Sequence, residues 1–535
     1  MGPVERAQEA GVIRTLDAGQ VRGLLLRREE IALLDLREED PFAQEHPLWA
    51  ASLPLSRLEA EIRERVPRPE TPIVVYGEHD GVDLAPRAVA RLHQLGYSQV
   101  WELAGGLDGW RSAGGELFRD VNVPSKAFGE LVEAVRHTPS LPAQEVRRLL
   151  GETPPLIVDV RRFDEYHTMS IPSAVSVPGG ELVLRIRELA PDPRTPILVN
   201  CAGRTRSIIG TQSLVNAGLP NPVTALRNGT IGWKLAGLGL DHGATRRAPA
   251  QVRADHREAA RRGAREMALR AGVRLLEPGE LETLDDPGRT VYRFDVRTED
   301  EYVAGHLPGF RPAPGGQLVQ ETDHFAPVRG ARLVLADDDG VRATMTASWL
   351  AQMGWETYAV DAGPGLTEMG HAATRAPDPP VVDEVEPAEL AAWLAASTAV
   401  VVDIGPSREY AQGHLPGAWF AIRAQLEPAL RRLPSHPRLV VTSPTGDLAR
   451  WAVADLAAGP GLPAFALAGG TRAWRASGAA LETGEQRFLT PATDRYRRPY
   501  EGTDNADESM QAYLDWEFGL VAQLERDGTH FFAPV

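Results

Sequence analysis

The sequence predicts an α/β protein of four tandem units, each a mostly parallel sheet flanked by helices, with a helical C-terminal tail. Three observations predict it. An apolar run ending in aspartate occurs four times, at Leu33-Leu-Asp35, Ile157-Val-Asp159, Arg293-Phe-Asp295 and Val401-Val-Asp403. A second apolar run follows each, ending at Gly77, Cys201, Asp337 and Ser443, 42 residues on in three copies and 40 in the last. A glycine-rich turn with tryptophan then closes three copies, at Gly105-Gly106…Trp110, Asn228-Gly229…Trp233 and Gly469-Gly470…Trp474; the third copy degenerates to Asp361-Ala-Gly363-Pro-Gly365. A register held this tightly marks a true repeat.

Taken in order, the units cover residues 14–120, 138–242, 272–372 and 383–482, and the tail covers 487–535. The opening stretch MGPVERAQEAGVIRTL has no apolar h-region, so no signal peptide is expected. Within the units a Glu-Tyr pair recurs at Glu165-Tyr166, Glu301-Tyr302 and Glu409-Tyr410. Gly-His-Leu-Pro-Gly follows at 305–309 and 413–417, where the second unit has Met169-Ser-Ile-Pro-Ser173; the histidine reads as structural. Helices end at Gly96, Gly218 and Gly354, and each tryptophan reads as a core anchor beneath its turn. The connectors are 121–140, 242–275 and 375–383. Residues 253–270 read as a surface helix with a solvated basic face. Residues 504–525 read as an amphipathic helix, with Met510, Tyr513, Leu514, Trp516, Phe518 and Leu520 apolar, packing across a domain or a second subunit.

A chain of 535 residues is too long for one core, and 43% hydrophobic with 24% charged residues is ordinary for a soluble globular protein. The net charge of −16 excludes a general nucleic-acid or anionic-membrane binder, and no stretch reaches the length of a membrane span. The single cysteine excludes an internal disulfide and any multi-cysteine metal site, and fits a reducing, cytoplasmic compartment. No metal and no cofactor are expected.

That cysteine ends the strand Ile197-Leu-Val-Asn and opens Cys201-Ala202-Gly203-Arg204-Thr205-Arg206-Ser207, which leads into a helix. Cys201 is the candidate nucleophile. Two arginines and a helix N-terminus are expected to ionise it near neutral pH. Backbone N–H groups of such a loop form an anion-binding nest. The Cys-X4-Arg spacing is one residue shorter than the Cys-X5-Arg cradle of thiol phosphatases, and a smaller cradle suits a persulfide.

Asp159-Val-Arg161, Glu165-Tyr166, the 201–207 loop and the Asn228-Gly229…Trp233 turn together resemble the rhodanese-like sulfurtransferases, in a tandem four-domain form covering residues 14–482. The resemblance implies thiosulfate sulfurtransfer by a ping-pong reaction through a Cys201 persulfide, discharged to cyanide or a thiol, small thiol proteins included. Ala202 to Ser207 would bind the donor: Arg206 would hold the leaving sulfonate and lower the thiol pKa, Arg204 would attract the anion, and Ser207 would cap the helix or bond the sulfur. Either arginine could instead pair with a carboxylate such as Asp159 or Glu165. Asp159 and Arg161 are read as structural support. Gly77, Asp337 and Ser443 would leave units one, three and four catalytically silent. The alternatives are a persulfide or redox sensor or binding scaffold, and, less favoured, a phosphatase or arsenate reductase. A homodimer through the tail helix is the oligomeric expectation.

Overall fold

A computed structural model of the protein describes residues 13–79, 81–434, 437–457 and 463–535. Residues 1–12, most of the stretch read for a signal peptide, lie outside them. Each unit carries a parallel sheet with one shared strand order. In unit two the order is Val175–Ser176, Leu156–Asp159, Ile197–Asn200, Val223–Leu226, Ser140–Leu141. The central pair runs in register from Leu156 opposite Ile197 to Asp159 opposite Asn200. Ile197–Asn200 is buried throughout, as a parallel strand covered on both faces must be.

The recurring residues fasten the ends of these strands. Asp159 accepts from Arg161 Nε at 2.9 Å and Nη2 at 2.7 Å, and Arg161 Nη2 also donates to the Met169 carbonyl at 2.7 Å. Asp35 with Arg37 and Asp295 with Arg297 repeat the arrangement, onto the carbonyls of Glu45 and Gly305. Tyr166, Tyr302 and Tyr410 donate their hydroxyls to Ala174, Phe310 and Ala418. His306 and His414 stack on those tyrosines at 3.8 Å between ring centroids. Trp110, Trp233 and Trp474 each donate Nε1 to a carbonyl six residues on. Both the histidines and the tryptophans therefore hold local structure.

The units are fused rather than strung. The outer edge of Ile31–Asp35 carries Ala50–Ser52 in parallel and Val328–Arg329 of unit three antiparallel. One apolar core runs through units one and three, the helix Val123–Arg136 and tail residues Leu520, Leu524 and Phe532. Units two and three meet at Gly180, where an added Cβ would lie 3.0 Å from the Gly316 nitrogen. Arg342 spans that seam to Glu181 at 2.9 Å, and Arg423 joins unit four to Glu59 of unit one at 2.9 Å.

One expectation changes here and another is narrowed. The helix Ala254–Ala271 is not simply a solvated face: Ala260, Gly263, Ala264, Met267 and Ala268 are buried. A Cβ at Gly263 would fall 2.2 Å from the Ala217 carbonyl oxygen, so the stripe of small residues wedges the helix between units two and three. The tail forms the helices Asp507–Phe518 and Leu520–Asp527, and Met510, Tyr513, Leu514 and Leu520 are buried against the rest of the same chain. Of the two places offered for that apolar face, a domain of the same chain and a second subunit, the structure shows the first, with Phe518 left 55% exposed.

Candidate active site

The loop between Ile197–Asn200 and the helix Thr205–Asn216 stands at the C-terminal edge of the unit-two sheet, where open α/β sheets collect ligands. The neighbouring turn fixes its backbone. Thr230 N–H and hydroxyl both donate to the Cys201 carbonyl, at 2.9 and 3.0 Å, and Ile231 N–H donates to the Ala202 carbonyl at 2.9 Å. Gly229, at φ +53°, must be glycine, because a Cβ would lie 2.5 Å from the Cys201 oxygen. Asn200 Nδ2 donates to Asp159 Oδ2 at 2.9 Å, tying the strand end to the Asp159–Arg161 pair.

Cys201 is 1% exposed. Burial pushes its thiol up, against the pull of the Arg206 charge and of the Ser207 N–H; Glu517 adds to the rise. The expected ionisation near neutral pH is therefore corrected: in this resting cavity the thiol is the favoured form. Ser207 Oγ donates its one proton to the Arg204 carbonyl at 2.8 Å, so the hydroxyl serves the loop backbone.

Both arginines take the alternative left open for them and pair with carboxylates. Arg204 lines the cavity but is engaged by partners of the same chain. Its Nε and Nη2 grip Glu130 at 2.7 and 2.8 Å, Nη2 also meets Glu133, and Nη1 donates to Asn228 Oδ1 at 3.1 Å. Its guanidinium lies 4.0 Å from the centroid of Phe518, and the residue is 4% exposed. Arg204 is a structural tie. Arg206 pairs with Glu165 through two bonds of 2.7 and 2.9 Å while still acting on the cysteine. Burial alone would raise Glu165, but Arg206 outweighs it and holds the carboxyl near 2.

The same loop in the other units shows what the nest can hold. In unit three the Asp337 carboxyl accepts from the N–H groups of Gly340, Val341 and Ala343 at 3.0, 3.0 and 2.9 Å. Burial and Asp339 push that carboxyl well above the usual range, so the nest there is filled by an oxygen acceptor of the chain itself. Arg342 pairs with Glu301 as Arg206 does with Glu165, so this pair belongs to the loop architecture of both units. In unit four Ser443 Oγ accepts from Ala449 N–H at 3.3 Å, and Pro444 removes one N–H from the loop. In unit one Glu78–His79 pairs antiparallel with Val82–Asp83, drawing the loop into a hairpin.

Residues distant in sequence roof Cys201, and the sequence reading missed them. Ser125 and Lys126 from Val123–Arg136, Gln320 of unit three, and Tyr500, Tyr513 and Glu517 of the tail line the same cavity as residues 201–206. Lys126 is buried, paired with Asp120 at 2.8 Å, and lies 5.1 Å from the Tyr513 ring centroid. The cavity is small, with about 20 Å³ open to the centre of a water-sized sphere. It adjoins a cleft of about 920 Å³, and Arg206, Gln320 and Tyr500 line both. The connector helix gave little signal because its polar residues are buried against partners elsewhere in the chain.

A family model for the rhodanese-like domain matches residues 17–113, 142–236, 277–364 and 386–477. The chain belongs to the rhodanese-like family. It is 60% identical to a crystal structure described as a thiosulfate sulfurtransferase from Pseudomonas aeruginosa, over 98% of this chain and 100% of that one, with a TM-score of 0.95. A thiosulfate sulfurtransferase, GlpE, of Coxiella burnetii is 29% identical over 89 residues, 16% of this chain and 78% of that protein. An HTH-type transcriptional regulator of Mycobacterium tuberculosis is 35% identical over 98 residues; the match takes in 18% of this chain and only 42% of the regulator's length. Among the described residues, no helix is long and apolar enough to cross a membrane.

Proposed function

We propose that the chain is a thiosulfate sulfurtransferase in which Cys201 of unit two takes up sulfane sulfur and passes it to cyanide or a thiol acceptor. The observation that carries the reading is the Cys201 loop, set in a chain 60% identical along its length to a thiosulfate sulfurtransferase. The nest supports it physically: the equivalent backbone of unit three turns three N–H groups onto the Asp337 carboxyl oxygens, and a persulfide anion needs converging donors of that kind.

In this reading the Cys201 thiolate attacks the outer sulfur of thiosulfate and sulfite leaves. The loop N–H groups hold the outer persulfide sulfur, and the Arg206 charge favours the anion. An acceptor then attacks that sulfur and Cys201 departs. The adjoining cleft is the proposed approach for donor and acceptor. Units one, three and four, lacking the thiol, serve as scaffold.

The test is thiocyanate formation from thiosulfate and cyanide by the full chain. Turnover in the wild type that disappears in Cys201→Ser supports the reading. Turnover retained by that variant, or none from the wild type with either cyanide or a small thiol, contradicts it.

A further inference from the structure

The tail carries one polar group into the cavity that no loop residue accounts for. Glu517 is fully buried. Its Oε1 accepts the Tyr513 hydroxyl at 2.8 Å, and its Oε2 has no hydrogen-bond partner. That free oxygen faces the loop, since a Cβ added at Gly203 would lie 3.3 Å from it. Glu517 and Cys201 line one cavity and act on each other electrostatically. A buried carboxylate oxygen without a partner is costly, whereas a protonated one is a donor facing an empty acceptor position.

The groups facing Glu517 are Tyr513 on its own helix, Glu130 and Lys126 on Val123–Arg136, and Arg204 and Cys201 on the loop. Burial and then Glu130 push the carboxyl up to about 8, against Lys126, the Tyr513 hydroxyl and Arg204. It therefore changes charge near neutral pH beside a thiol that burial has also raised.

Resting on the sulfur-transfer reading, we propose that Glu517 stands over the Cys201 loop as a neutral acid and donates to the anionic sulfur held there. The Cys201 proton leaves to solvent, and Glu517 stays a carboxylic acid beside the thiolate. Sγ attacks the outer sulfur of thiosulfate; that S–S bond forms, the bond to the sulfonate sulfur breaks, and its electron pair leaves on sulfite. The neutral acid then faces the persulfide anion as a donor instead of repelling it. An acceptor thiolate attacks the outer sulfur, and the electron pair of the broken bond returns to Sγ. The cycle moves one sulfur atom and consumes no net proton. The C-terminal tail is thereby part of the catalytic machinery.

Two measurements on the full chain test this. The first is the rate of sulfur loading from thiosulfate against pH, for the wild type and Glu517→Gln. Above pH 8 only the wild type gains a negative charge beside the incoming dianion. The ratio of variant to wild-type rate is expected to be level below about pH 8 and to climb by up to about tenfold per pH unit above it. A ratio flat across the range overturns the proposal while leaving sulfur transfer intact; a wild type that takes up no sulfur overturns the parent reading. The second, infrared titration, needs no turnover. A protonated carboxyl band should vanish as pH rises through about 8, be missing in Glu517→Gln, move its midpoint in Cys201→Ser, and move upward in Tyr513→Phe. A carboxyl already ionised at neutral pH, or a midpoint indifferent to Cys201, overturns the assignment.

Discussion

At Arg206 and Glu165, one ion pair positions the loop and also sets a pH limit. The Glu165 carboxyl is held near 2 in the folded chain against a normal value of 4.5. A depressed carboxyl contributes its stability above the unfolded value and loses it as pH falls through the folded one. The wild-type melting temperature should therefore fall between about pH 4.5 and 2, and Glu165→Gln should show a smaller fall over that window. An equal fall in the two proteins would remove the pair from the account. Arg204 is the contrasting case, since its charge is matched by buried Glu130. Arg204→Ala leaves that carboxylate unpaired and should cost about 3–5 kcal/mol of stability, measured by denaturant unfolding. A variant that keeps full stability but loses donor affinity would instead restore the anion-attracting role.

Among the elements, the loop was legible and its roof was not. The Cys-X4-Arg spacing, the Glu-Tyr pair and the Asn-Gly turn are local patterns, and the structure brings Cys201, Glu165 and Gly229 together around one loop. The partner of Arg204 lies 74 residues before it and Glu517 lies at the far end of the chain; periodicity carries no record of such pairings. The tail helix could be read as amphipathic from Met510, Tyr513 and Leu514, but not that the surface it covers is the Cys201 loop. Its docking makes a prediction. Leu514 is 1% exposed in a small cluster with Ile231, Met510 and Tyr513. Leu514→Ala should weaken that docking by about 3 kcal/mol and speed alkylation of Cys201 on the order of a hundredfold through local opening. Unchanged alkylation would mean that the tail does not control access.

For the whole molecule, the fourfold repeat was plain in the sequence, but the fusion of the units was not. Strand Val328–Arg329 adding to the edge of Ile31–Asp35 and the shared core of units one and three rest on contacts about 300 residues apart. Unit two shares core residues Val341 and Met345 with unit three, whereas unit four keeps its clusters largely to itself. Calorimetry should accordingly show one transition for units one to three with the tail and a separate one for unit four; four independent transitions would contradict this packing. Gln320 of unit three, the helix Val123–Arg136 and the tail then roof the cavity of Cys201, the proposed seat of sulfur uptake. The most direct test of that claim is intact-mass measurement after thiosulfate treatment. The wild type should gain the mass of one sulfur atom, lose it on adding cyanide, and show neither change as Cys201→Ser. A wild type that gains no sulfur, or a serine variant that does, would contradict the central claim.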